Sequence, residues 1–86
     1  MPRISTYYGI AVYMYFQDHA PPHFHAIYGE HEAMVEIATA QTLEGALPSR
    51  AMKLVKAWAK LHRQELRENW ERAQAGESLQ QIDPLD

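Results

Sequence analysis

The sequence predicts an α+β domain, an antiparallel meander of three to four strands packed against one long C-terminal helix. Three observations carry that expectation. Apolar side chains alternate through the first half of the chain, and Gly and Pro residues punctuate the alternation. From Ser49 to Ala75 there is neither Gly nor Pro, and the apolar residues fall at helical spacing. A chain of 86 residues is long enough for one modest core, so residues 1–86 are expected to form a single domain.

The first strand is expected between Gly9 and Phe16, where Ile10, Val12, Met14 and Phe16 share one face and Ala11, Tyr13 and Tyr15 the other. The run breaks at Gln17-Asp18-His19-Ala20-Pro21-Pro22, because two consecutive prolines remove two backbone donors that a central strand needs. Alternation resumes from His23 to Tyr28, Gly29-Glu30 supplies a tight turn, and His31 to Ala38 reads as the partner strand with Ala33, Val35 and Ile37 on one side. A short fourth strand fits Thr42 to Glu44, ending at Gly45. Pro48 occupies a first-turn helix position and Gly76 a helix stop. A single helix between them would span about 40 Å, longer than an ordinary strand, so its second half should kink or project. The apolar arc of Ala51, Leu54, Val55, Trp58, Leu61 and His62 is followed by a rotated one of Leu66, Trp70 and Ala73, and two helices meeting near His62 are the alternative. In the tail, Leu79, Ile82 and Leu85 are placed to pack back as an irregular strand.

Composition excludes several classes of function. With 47% hydrophobic and 22% charged residues and no run near the roughly 20 apolar residues of a membrane span, no membrane association is expected. Met1-Pro2-Arg3-Ile4-Ser5 lacks the apolar core of a signal peptide, and the chain has no cysteine, which fits a reducing cytoplasm. Without cysteine there is no disulfide, thiolate ligand or thiol nucleophile. The net charge of −3 is unevenly spread. Asp18, Glu30, Glu32, Glu36 and Glu44 face only Arg3 in the first half, whereas Arg50, Lys53, Lys56, Lys60 and Arg63 form a stretch without an acid. A solvated helix face opposite Trp58 accounts for the stripe of Lys53, Lys56, Lys60, Arg63 and Arg67, and the overall acidity argues against tight nucleic-acid binding.

The chemistry is concentrated in residues 18–25. His23 and His25 lie two apart on a strand, so both imidazoles leave the same face, as a pair of metal ligands must. Asp18 and His19 stand across the stiff Pro21-Pro22 bend, where a third or fourth ligand is held at little entropic cost. Asp18, His19, His23 and His25 are therefore the candidate metal residues, for zinc or another divalent ion that prefers nitrogen. The plainer readings are polar residues on a half-exposed strand and a turn built by Asp18 and the prolines. His62 would approach His25 if the helix covered the face marked by Ile27; otherwise it is a packed, hydrogen-bonded histidine. Tyr7, Tyr8, Tyr13, Tyr15, Phe24 and Tyr28 exceed what a small sheet covered on one face buries, which predicts a homo-oligomer or a partner surface.

Tyr8-Gly9-Ile10, Met14-Tyr15-Phe16, Asp18-His19-x-Pro21-Pro22-His23-Phe24-His25, Leu43-Glu44-Gly45-x-Leu47-Pro48, Trp58-Ala59-x-Leu61-His62 and Asn69-Trp70 together resemble the bacterial and archaeal family of unknown function numbered 4160. The resemblance spans nearly the whole chain, with Ala20 standing where the family commonly has Asn. It implies a small stand-alone protein, often encoded beside another small protein in a manner similar to toxin–antitoxin loci, and it implies no activity. Two functions follow. One is an interaction module in which the histidines hold a loop or a metal. The other is a small hydrolase or ribonuclease using His19, His23 or His25 in acid–base or metal-assisted chemistry. No nucleophile motif, phosphate-binding glycine loop or paired-carboxylate site supports the second independently.

Overall fold

The computed structural model of the chain describes residues 2–86. Alternating side chains and glycine turns in the first half produce five strands, β1 (Arg3–Tyr7), β2 (Ile10–Tyr13), β3 (His23–Tyr28), β4 (His31–Glu36) and β5 (Thr42–Gly45). They pair antiparallel in chain order to form one sheet. The expectation of three to four strands is corrected by β1, whose Arg-Ile-Ser-Thr-Tyr sequence lacks clean alternation because a bulge between Arg3 and Ser5 buries both Ile4 and Ser5. The expected Gly9–Phe16 strand stops at Tyr13, and Phe16 is exposed rather than aligned with Ile10, Val12 and Met14 in the core.

The helical half holds α1 (Ser49–Leu61) and α2 (Arg63–Gln74), not one long helix. The break is at His62, whose φ of −114° and ψ of 27° leave the helical region, while its amide still bonds the Trp58 carbonyl. The sequence marked this point by the rotation of the apolar arc. Ala51, Val55, Trp58 and Ala59 of α1 are buried, and Leu66, Asn69 and Ala73 of α2. Leu61, placed in the first arc by its spacing, is instead exposed because the helix ends there.

Trp58 packs on Tyr7 and Phe24, with ring centroids at 5.3 and 5.7 Å, so α1 covers the sheet face of Ile10, Val12, Phe24, Ala26, Ala33 and Val35. The opposite face carries Ala11 beside Ile27 beside Glu32, and Tyr13 beside His25 beside Met34 beside Glu44, by strand register. His62 accordingly does not approach His25. It stacks near Trp58 and bonds Glu65, because the helix lies on the face away from Ile27. The tail returns along β1, where the Ile82 amide donates to the Ile4 carbonyl.

Candidate metal centre

Two structural ties bring the proline loop to the start of β3. The Gln17 amide donates to the Ala73 carbonyl at 3.2 Å and Gln74 Nε2 donates to the Asp18 carbonyl at 3.0 Å, so the last turn of α2 holds the backbone ahead of the prolines. Trp70 of α2 lies with its ring 5.2 Å from that of His23, which is 1% exposed. The Ala20–Pro21 bond is cis, and the chain beyond Pro22 enters β3 with the Ile37 amide donating to the Pro22 carbonyl.

The strand period then does what the spacing predicted. His23 and His25 leave the same face with ring centroids 5.2 Å apart. Asp18 reaches across the bend so that its Oδ2 lies 2.9 Å from His23 Nε2 and 3.4 Å from His25 Nε2. One ligand atom from each of Asp18, His23 and His25 lies within 4.8 Å of the others. His19 stands apart from that set. Its ring is largely exposed, its Nδ1 lies 2.9 Å from Asp18 Oδ1, and its amide donates to the same oxygen. Of the four candidate residues, three converge and the fourth orients the carboxylate from outside.

The outer nitrogens decide the chemistry of the inner ones. His23 Nδ1 is 2.7 Å from the Pro21 carbonyl, which only accepts, so Nδ1 carries a proton and donates it. His25 lies between two carboxylate oxygens, Glu32 Oε2 at 3.2 Å from Nδ1 and Asp18 Oδ2 at 3.4 Å from Nε2, and its ring proton can serve either. A His23 ring with its single proton on Nδ1 turns the Nε2 lone pair to Asp18 Oδ2, which is also an acceptor. That 2.9 Å contact requires a second ring proton on His23 or a cation between the two atoms. Burial pushes the Asp18 carboxyl up, but the His19 amide, the His25 hydrogen bond and the charge and hydrogen bond of His23 outweigh it, holding it below its ordinary value.

Glu32 was not singled out from the sequence as part of the site. It lies on β4 where Ile27 is its register partner, and only the diagonal across the hairpin brings it to His25. Tyr15 was also not assigned there, and its ring meets that of His25 edge-on at 4.4 Å. Burial, followed by the charges of Glu32, Tyr13 and Asp18, pushes its phenol up. A shallow depression of about 230 Å³ opens beside His25, lined by Glu32, Met34, Glu44 and Gly45.

Fold and site together define a small α+β protein carrying a two-histidine, one-carboxylate cluster where a proline loop meets a sheet. The chain belongs to the family described as Domain of unknown function (DUF4160), whose match covers residues 9–71 and so includes the whole cluster. No curated protein and no solved structure matches it. No helix is long and apolar enough to cross a membrane among the described residues.

Proposed function

We propose that this protein is a metal-stabilised interaction module, in which Asp18, His23 and His25 hold one zinc ion or another nitrogen-seeking divalent ion. The observation behind this reading is the convergence of ligand atoms from Asp18, His23 and His25 within 4.8 Å of one another, with the outer nitrogen of His23 held by a carbonyl and that of His25 facing a carboxylate. Ligating histidines are commonly fixed in this way, with the second nitrogen donating to a carbonyl or a carboxylate. A tetrahedral site with metal bonds near 2.0–2.1 Å separates its ligand atoms by about 3.3 Å. The contacts of 2.9 and 3.4 Å bracket that spacing. The purely protein alternative is an imidazolium at His23, which buries a charge beside Asp18 and leaves His25 to share the same oxygen.

In this reading the ion ties the 17–22 loop to β3, and through Gln74 and Ala73 to α2, giving a fixed surface for a second copy of the chain or a small protein partner. A partner encoded alongside, in a toxin–antitoxin-like arrangement, and a cytoplasmic setting belong to the same proposal. Calorimetry with zinc at neutral pH tests it. One-to-one saturable binding is expected for the wild type and none for His23→Ala combined with His25→Ala. Lacking thiolates, the site should bind more weakly than a cysteine site and release its ion as acid protonates the ligands. A wild type that takes up no zinc, or a double variant that binds as well, refutes the metal centre.

A second reading rests on one specific feature. Three protein ligands with His19 standing outside leave a coordination position open, the pattern of catalytic rather than structural zinc. A small hydrolase or ribonuclease using His19 or Glu32 as the proton-transfer group fits that pattern. Cleavage of RNA by the zinc-loaded wild type, abolished in the double variant, would decide for it.

A further inference from the structure

The two edges of the sheet are treated differently. Along β1 the tail closes the edge, with the Ile82 amide donating to the Ile4 carbonyl and Gln81 Nε2 donating to the Arg3 carbonyl. Along β5 nothing among the described residues follows, and all four residues of the strand are exposed. An uncovered edge is a template for another strand. Beside it runs a groove of about 420 Å³ between β5 and α1, lined by apolar Leu47, Ala46 and Met52 and rimmed by Lys53 and Lys56. Both lysines come from one helix face, and neither forms an ion pair among the described residues, where every ion pair involves a histidine.

We propose that the β5 edge and this groove dock an extended, acidic segment of a partner protein, which adds antiparallel to β5 as a sixth strand. Backbone groups of Thr42–Gly45 supply the pairing, an apolar side chain of the segment settles over Leu47 and Met52, and carboxylates on the same side meet Lys53 and Lys56. Charge complementarity selects the occupant. Two unpaired cations over an apolar floor favour a segment that carries both apolar and acidic side chains on one face. Gly45 shapes the end of the strand, since its φ is +74° and a Cβ there would collide with the Glu32 carbonyl oxygen. The surface names one partner chemistry for the interaction module proposed above, yet it does not use the histidine cluster.

The test uses the full chain and the nine-residue peptide Thr-Val-Thr-Glu-Thr-Val-Thr-Glu-Thr, which as a strand presents valine and glutamate on one face. Amide resonances of Thr42–Gly45 and of Lys53 and Lys56 should shift saturably on titration. Lys53→Glu with Lys56→Glu, checked for an unchanged fold by circular dichroism, should weaken binding by about tenfold or more, as should added salt. Binding should be the same with and without zinc, so a failed metal site leaves this outcome readable. The proposal is overturned by no binding at millimolar peptide, by equal binding of the peptide with lysine in place of glutamate, or by shifts confined to the Tyr13–His25 face. Tighter perturbation of the same residues by an oligouridylate would reassign the groove to nucleic acid. A dimer formed through β5 would reassign it to a second copy.

Discussion

The histidine pair shows how a side chain's partners determine what it can bind. Spacing put His23 and His25 on one face, but the Pro21 carbonyl is what fixes a proton on the outer nitrogen of His23, and Glu32 competes with Asp18 for the ring proton of His25. Neither contact follows from residue order. A contrasting case is Tyr7, whose hydroxyl is buried without a hydrogen-bond partner in the core beside Trp58. Its removal should therefore help. Tyr7→Phe is expected to raise stability by about 1 kcal/mol, since an unpaired buried hydroxyl carries a desolvation cost. Burial pushes the Tyr7 phenol well above its ordinary value. A folded-state pKa above the unfolded one contributes stability that is complete below about pH 10 and declines as pH rises further. Denaturant unfolding at pH 8 and pH 11 should show a smaller alkaline loss in Tyr7→Phe than in wild type. An equal loss in both would place the alkaline sensitivity elsewhere.

At the scale of elements, the strands followed period-two alternation and the helices followed the apolar arcs, and the departures have local causes. The bulge in β1 breaks the alternation that would have announced it. The helix break at His62 rotates the buried face so that Leu66, Asn69 and Ala73 turn inward while Leu61 is left outside. Arg63, read as one cation of a solvated stripe, instead donates from Nε to the Ile37 carbonyl at 3.2 Å and ties the start of α2 to the end of β4. Trp58 is the residue on which α1 and the sheet meet. It is fully buried against Tyr7 and Phe24, and its indole N–H donates to the Asp83 carbonyl at 2.8 Å. Trp58→Ala should cost on the order of 3 kcal/mol in a denaturant titration, from lost transfer energy and the cavity left behind. A loss below about 1 kcal/mol would mean that α1 is held chiefly by other contacts.

For the whole molecule, the C-terminal segment matters more than its irregular form suggests. Asn69 is fully buried, donates from Nδ2 to the Gln80 carbonyl and accepts from the Gln80 amide and from Arg72. Together with Trp58 bonding Asp83 and Ile82 bonding Ile4, this closes the β1 edge with the tail. Asn69→Leu keeps the volume but leaves both backbone groups of Gln80 without their partners. It should cost about 2 kcal/mol and speed hydrogen exchange at Gln80 and Ile82 more than at Phe24 in the central strand. Uniform acceleration across the sheet would instead indicate that the tail and the core open as one unit.

The sequence by itself determined the class of fold, the proline loop, the β3–β4 hairpin, the inward face of α1 and the grouping of Asp18, His23 and His25. Each of these depends on periodicity or on the stereochemistry of neighbouring residues, which act over a few positions of the chain. Tertiary structure decided what depends on contacts between distant segments. It covered the face of Phe24 rather than that of Ile27, kept His62 away from the cluster and left His19 outside it. It also brought Glu32 and the end of α2 to the histidines and closed one sheet edge while leaving the other open. Side-chain period names which residues share a face, but which face is buried follows from the direction in which a connection crosses the sheet, and that choice is made by the packing of the whole chain.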